Sequence, residues 1–94
     1  PFLKFEVLYK KPFLKELKKL PQGVRDKVEN LSFDILPEIE NLKDIKGLEK
    51  LVGYERFYKM RFGDYRVGIE IDTDNKIIVL CRVLHRKEIY RYYP

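Results

Sequence analysis

The sequence predicts an α+β fold: an N-terminal strand, an antiparallel helical hairpin, a three-stranded antiparallel meander and a short C-terminal helix or tail, with the helices on one sheet face. Three observations lead there. The hydrophobic period runs near two, then between three and four, then two again. Proline and glycine fall where the period changes, at Pro12, Pro21, Gly23, Pro37 and Gly63. The apolar run Ile77–Cys81 demands cover on both sides, as an interior strand has.

Taken in order, Leu3–Tyr9 alternates around Phe5, Val7 and Tyr9 and reads as a strand. Pro12 suits the first turn of a helix. Phe13, Leu14, Leu17 and Leu20 follow at helical spacing, with Lys15, Glu16, Lys18 and Lys19 outward. Pro21 and Gly23 break this helix. A second runs from about Pro21 to Leu36 on a stripe of Val24, Val28, Leu31, Ile35 and Leu36, and Pro37 stops it. Residues 37–54 read as a partly ordered connection with a helical turn, packed by Ile39, Leu42, Ile45, Leu48 and Leu51. Arg56–Phe62, Tyr65–Ile71 and Lys76–Leu84 are the meander strands. Gly63-Asp64 is a hairpin turn, and Asp72-Thr73-Asp74-Asn75 is a second turn. Residues 85–93 close the chain as a short helix or tail.

Ninety-four residues make one domain, 1–94, with room for a modest core. Its 45% hydrophobic content predicts folding rather than disorder. The chain has no Ala or Trp and a single Ser, Thr, Cys and His (Ser32, Thr73, Cys81, His85). One cysteine forbids an internal disulfide, and a His/Cys zinc site lacks ligands. A Ser–His–Asp triad would need Ser32, which sits in an apolar helical pattern. Asp72 and Asp74 match no complete metal-ligand set and read as turn residues. No metal or other cofactor is expected. The first residues hold no apolar run of signal-peptide length, so the expected location is cytoplasmic, with Cys81 reduced and in the core.

The net charge of +5 is unevenly placed. Residues 1–20 carry six Lys and two Glu, net +4; 21–55 carry five basic and eight acidic groups, net −3; 56–94 carry nine basic and five acidic groups, net +4. The first excess is all Lys and the last mostly Arg. Arg presents a planar fork that matches phosphate oxygens and stacks on bases. In the first meander strand Lys59 and Arg61 oppose Tyr58 and Met60. In the second, Arg66 and Gly68 oppose Val67 and Ile69. In the third, strict alternation puts Arg82 on the side of Ile78 and Leu80. The short turns then gather Lys59, Arg61, Arg66 and Arg82 on one open face, with His85, Arg86 and Tyr90 at its edge. Such a face fits single-stranded RNA. Each residue also has an ordinary role: lone arginines are commonly solvated surface, and Tyr65 reads as core.

The opening FEVLYKKPFLKELKKLPQGVRDKVEN resembles the first strand and Leu/Lys-rich hairpin of the RelE/ParE toxin superfamily. GLEKLVGYERFYKMRFGDYRVGIEI is similar to its Leu-x-Gly stretch, its Gly-Asp turn and its Tyr-Arg-Val. IIVLCRVLHRKEIYRYY is similar to its last strand, followed by His-Arg-Lys and Ile-Tyr.

The resemblance implies the toxin of a toxin–antitoxin module, with a cognate antitoxin, partly acidic, as partner. It implies a ribosome-dependent mRNA endoribonuclease that inhibits translation, the ribosome and mRNA being its further partners. The alternative is a ParE-like, non-catalytic DNA gyrase poison. By position, the resemblance places Arg61 and Arg66 at the scissile phosphate, with Arg86 a further basic residue of that site. It makes Tyr90 the tyrosine that positions the nucleophile or stacks on a base, and His85 an acid–base group. Lys59 matches a second-strand lysine. Where some RelE proteins carry another lysine two positions earlier, this chain has Phe57.

Overall fold

The computed structural model describes residues 3–94. Strand β1 (Glu6–Tyr9) leads into helix α1 (Lys11–Lys18), with Pro12 in its first turn. The inner side of α1 buries Phe13 and Leu17. Helix α2 (Gln22–Glu29) continues as a π-helical turn over Asn30–Ile35 and a 3₁₀ turn over Leu36–Glu38, after which Ile39 is extended. The wider turn shifts the expected stripe. Val28, Leu31 and Leu36 are buried, whereas Ile35 rotates out to 41% exposure.

The connection holds one 3₁₀ turn, Leu42–Asp44, capped by the Asn41 side chain, which accepts from the Lys43 N–H at 3.0 Å. Ile39 and Ile45 are buried, in line with the packing role read from the sequence. A two-residue strand follows, β2 (Glu49–Lys50), between Gly47 and Gly53, both at positive φ. No alternation announces so short an element. The meander is β3 (Phe57–Phe62), β4 (Tyr65–Asp72) and β5 (Ile77–His85), and the chain ends on helix α3 (Ile89–Tyr92). Gly63, at φ +60, sits at the first central position of the β3–β4 turn, where a type II′ turn needs a positive φ.

The sheet has five strands in the order β1-β5-β4-β3-β2. β1 lies parallel to β5, from Glu6 opposite Ile77 to Tyr9 opposite Leu80. The helices pack on one face over Met60, Val67, Ile69, Ile71, Ile78, Leu80 and Val83. The other face is not bare. Cys81, Ile89 and Tyr93 form a second buried cluster there, with Phe57, Val79 and Leu84 against it.

A β-bulge corrects the expected side for Arg82. Gly68 pairs with Arg82 but Ile69 pairs with Leu80, so Cys81 is an extra residue in β5. Strict alternation fails there: Leu80 and Val83 both face the helices, and Arg82 leaves the side of Ile78 and Leu80. Beyond the end of β1 the edge of β5 has no strand neighbour. Glu16 of α1 fills that gap, accepting from the Val83 N–H at 3.1 Å and from the Arg82 guanidinium through Nε at 3.0 Å and Nη2.

Arg82 and Glu16 side chains are only 23% and 15% exposed, so removing one partner strands a half-buried charge. Glu16→Gln is expected to cost about 2–3 kcal/mol, since it weakens the charged pair while the strand edge still needs an acceptor. Urea denaturation checks this, as a lower midpoint at unchanged slope.

Candidate active site

The meander register builds the site. Arg61 of β3 lies directly opposite Arg66 of β4, and Lys59 lies opposite Gly68. Opposed residues share a face with Cβ atoms about 4.5–5.5 Å apart, and Lys59 follows Arg61 at about 6.8 Å along the strand. Three cations therefore converge on the face away from the helical hairpin. Tyr90, exposed on α3, closes over them: its hydroxyl accepts from Lys59 Nζ at 3.0 Å, and Lys59 Nζ stands 5.5 Å from its ring centre. Because the Tyr90 oxygen accepts this bond, its own O–H stays free to donate outward.

The two strand arginines are held differently. Arg66 folds back on the hairpin, its Nη1 donating to the carbonyls of Gly63 at 2.7 Å and Tyr65 at 2.9 Å. The rest of its guanidinium fork makes no further protein hydrogen bond among the described residues. Arg61 is 63% exposed, and among the described residues its one ion pair is with Glu49, at 3.3 Å. Glu49 comes from β2, directly opposite Lys59. It is a carboxylate on the cationic face that the sequence did not announce, because nothing marks Glu49–Lys50 as a strand.

Arg86 sits at the end of the sheet. Its N–H donates to the Asp64 carbonyl at 2.7 Å, and its Nε lies 3.5 Å from Asp64 Oδ1. The β3–β4 turn thus carries Arg86 beside Arg66. Arg82 does not join the open cations: Glu16 holds its guanidinium, which rests 5.0 Å from the centre of the Tyr92 ring. Its proton is held more firmly than an ordinary arginine's, chiefly through the Glu16 hydrogen bonds.

His85 also stands apart. It pairs with Tyr65, whose side chain packs with the helix-side core, and its ring meets Tyr65 edge-on at 5.6 Å. Its Nδ1 accepts from the Lys87 N–H at 3.1 Å. Arg61 and Arg66 lie on the opposite face. Ser32 is fully buried with its hydroxyl unpaired, out of reach of any substrate. Cys81 is 3% exposed and burial pushes its thiol up, so it stays protonated. Among the described residues no group of three or more His, Cys, Asp and Glu side chains is placed to hold a metal ion.

Phe57 has a use of its own. It meets Tyr93 edge-on at 5.8 Å and Tyr54 at 5.7 Å. Tyr93 is 4% exposed; its one hydroxyl proton faces the carbonyls of Tyr58 and Ile69, both 2.7 Å away, and its oxygen accepts from the Tyr58 N–H at 3.2 Å. The only sequence signal for this seat is the four-residue spacing from Ile89.

Comparison with known proteins agrees with this architecture. Residues 7–90 match the family model described as ParE toxin of type II toxin-antitoxin system, parDE. Toxin RelE3 of Methanocaldococcus jannaschii is 40% identical over 90 residues, spanning 95% of this chain and 99% of that one. The toxin in the RelB–RelE antitoxin–toxin complex from Methanococcus jannaschii superposes with TM-score 0.72 at 35% identity, covering 93% of this chain and 99% of that one. A mutant of the E. coli toxin RelE in the free state shares the fold, with TM-score 0.69 at 20% identity over 95% of this chain and 90% of that one. The chain belongs to the RelE/ParE superfamily of toxins from type II toxin–antitoxin systems.

The seat of Tyr93 has a pH signature. Burial, the largest cause, pushes its phenol well above the ordinary value of 10.0. A group whose folded pKa is raised stabilises fully below its unfolded pKa and loses that contribution as pH climbs toward the folded one. Stability is therefore expected to fall above about pH 10, where the unfolded chain gains a phenolate that the folded one excludes. Tyr93→Phe is expected to flatten this alkaline limb in denaturation titrations between pH 8 and 11.

Proposed function

We propose that this toxin is an endoribonuclease that cuts mRNA on the ribosome by engaging the RNA's own 2′-OH, and that a cognate antitoxin holds it inactive. The observation that carries this is the convergence of Arg61, Arg66 and Lys59 on one face under Tyr90. RNA cleavage of this kind needs no nucleophile from the protein. The 2′-OH gives up its proton to solvent as its oxygen attacks the adjacent phosphorus, the P–O5′ bond breaks, and a 2′,3′-cyclic phosphate is left. The protein aligns the attack, stabilises charge on the phosphoryl oxygens and protonates the leaving 5′-oxygen.

Arg61, Arg66 and Arg86 supply positive charge fixed in advance, worth about 10²–10³ in rate per well-placed donor. Arg61 and Arg86 exchange exposed carboxylate partners for phosphate at small cost, because exposed ion pairs contribute only about 0–1 kcal/mol. Tyr90, with its lone pair taken by Lys59, offers its proton to the leaving oxygen. Arg82 and His85 receive no step, the first being committed to Glu16 and the second facing the other way. RelB–RelE complexes among the structural relatives support a cognate antitoxin as this chain's partner. A groove of about 340 Å³ on the helix side, lined by Leu31, Ile35, Ile45, Met60 and Phe62 with Lys27, Lys46 and Asp44 at its rim, suits an amphipathic segment.

The matching family model is that of ParE toxins, and this favours one competing reading, a gyrase poison without catalysis. Expression of the chain in cells with mapping of mRNA 5′ ends separates the two. Nuclease action predicts codon-phased cuts in translated messages, reduced at least about 100-fold by Arg61→Ala with the fold retained. Intact messages with an induced DNA-damage response would favour the gyrase reading instead.

A further inference from the structure

We propose that Tyr93, seated on Gly68, is the positioning residue that holds Tyr90 over Lys59. This rests on the role given to Tyr90 above. Helix α3 is four residues long, too short to persist on its own. Its inner side is fastened at two points one turn apart, Ile89 at 1% and Tyr93 at 4% exposure, while Tyr90 and Tyr92 point out. The Tyr93 N–H closes the turn on the Ile89 carbonyl at 2.9 Å.

The seat of Tyr93 is specific. A β-carbon at position 68 would lie 2.7 Å from Cγ and Cδ1 of the Tyr93 ring and 2.8 Å from Cδ2. The ring thus fills the place of a side chain on β4, and only glycine admits it. Gly68 is also the residue opposite Lys59. The ring that anchors α3 is therefore next to the lysine that Tyr90 engages, so a shift of the anchor passes directly to the Lys59–Tyr90 pair. At its far end the Tyr93 hydroxyl is fixed to the backbone of β3 and β4, its one proton shared between the Tyr58 and Ile69 carbonyls and its oxygen accepting from the Tyr58 N–H. The Lys-to-Phe57 departure completes the seat, since Phe57 supplies the ring that Tyr93 meets edge-on.

Gly68→Ala tests this on the full chain. Gly68 has ordinary strand backbone, so alanine disturbs the ring and not the main chain. In the native protein, NMR is expected to show contacts between the Tyr90 ring and the Lys59 ε-methylene. In Gly68→Ala these are expected to vanish while the cross-strand contacts of Arg61 with Arg66 persist. Cleavage of mRNA on programmed ribosomes is expected to lose on the order of 10- to 100-fold in kcat with KM unchanged, as a misplaced group produces. Tyr93→Phe, which keeps the ring and removes the hydroxyl, is expected to give the same split more mildly and serves if Gly68→Ala does not fold. Retained Tyr90–Lys59 contacts in a folded variant would overturn the positioning role whether or not the native toxin cleaves RNA. A native toxin that leaves mRNA intact would instead overturn the nuclease reading, with the NMR contacts still deciding this one.

Discussion

One extra residue in β5 sets the terms for the rest of the molecule. A strand that alternates strictly offers one side to each core. The bulge at Cys81 lets β5 change step, so that Leu80 and Val83 serve the helix-side core while Cys81 serves the cluster under α3. The same step carries Arg82 to the bare edge beyond β1, where Glu16 meets it. Helix α1 is thereby tied to the strand that leads into His85, Arg86 and α3. The fastening of the N-terminal hairpin and the placing of the C-terminal cations follow from one local irregularity.

Charge in this protein is sorted by exposure rather than by number. Among the described residues five arginines have carboxylate partners: Arg25 with Glu29, Arg82 with Glu16, Arg61 with Glu49, Arg86 with Asp64, and Arg56 with Glu70 and Asp72. The half-buried Arg82 pair is costly to break and is structural. The exposed pairs of Arg61 and Arg86 are weak, so on the proposed nuclease reading a phosphate would displace them.

Much of this was legible in the sequence. The meander, its turns and the Arg61–Arg66 pairing follow from period-two alternation and a two-residue Gly-Asp turn, which leave one register. The helical hairpin follows from Pro12, Pro21 and Pro37. Pairings remote in sequence were not legible. The parallel contact of β1 with β5 depends on the whole intervening chain, and β2 is too short to alternate. The bulge has no local mark, since Cys81 and Arg82 read as ordinary strand residues, and nothing in the pattern pairs Arg82 with Glu16. His85, expected at the edge of the open face, follows the parity of β5 after the bulge and turns toward Tyr65. The importance of Tyr93 lies in the empty place at Gly68, which no pattern of apolar residues displays.

The chain's scarcity of conventional catalysts, one His turned away and one Ser sealed in the core, makes sense if the nucleophile belongs to the substrate. The direct measurement is cleavage of a programmed ribosome whose mRNA carries a single 2′-deoxy nucleotide 5′ to the scissile bond. The account predicts that this message stays intact while its all-ribose counterpart is cut to a 2′,3′-cyclic phosphate end. Equal cutting of both messages would contradict it, because the attacking oxygen would then have to come from the protein or from water.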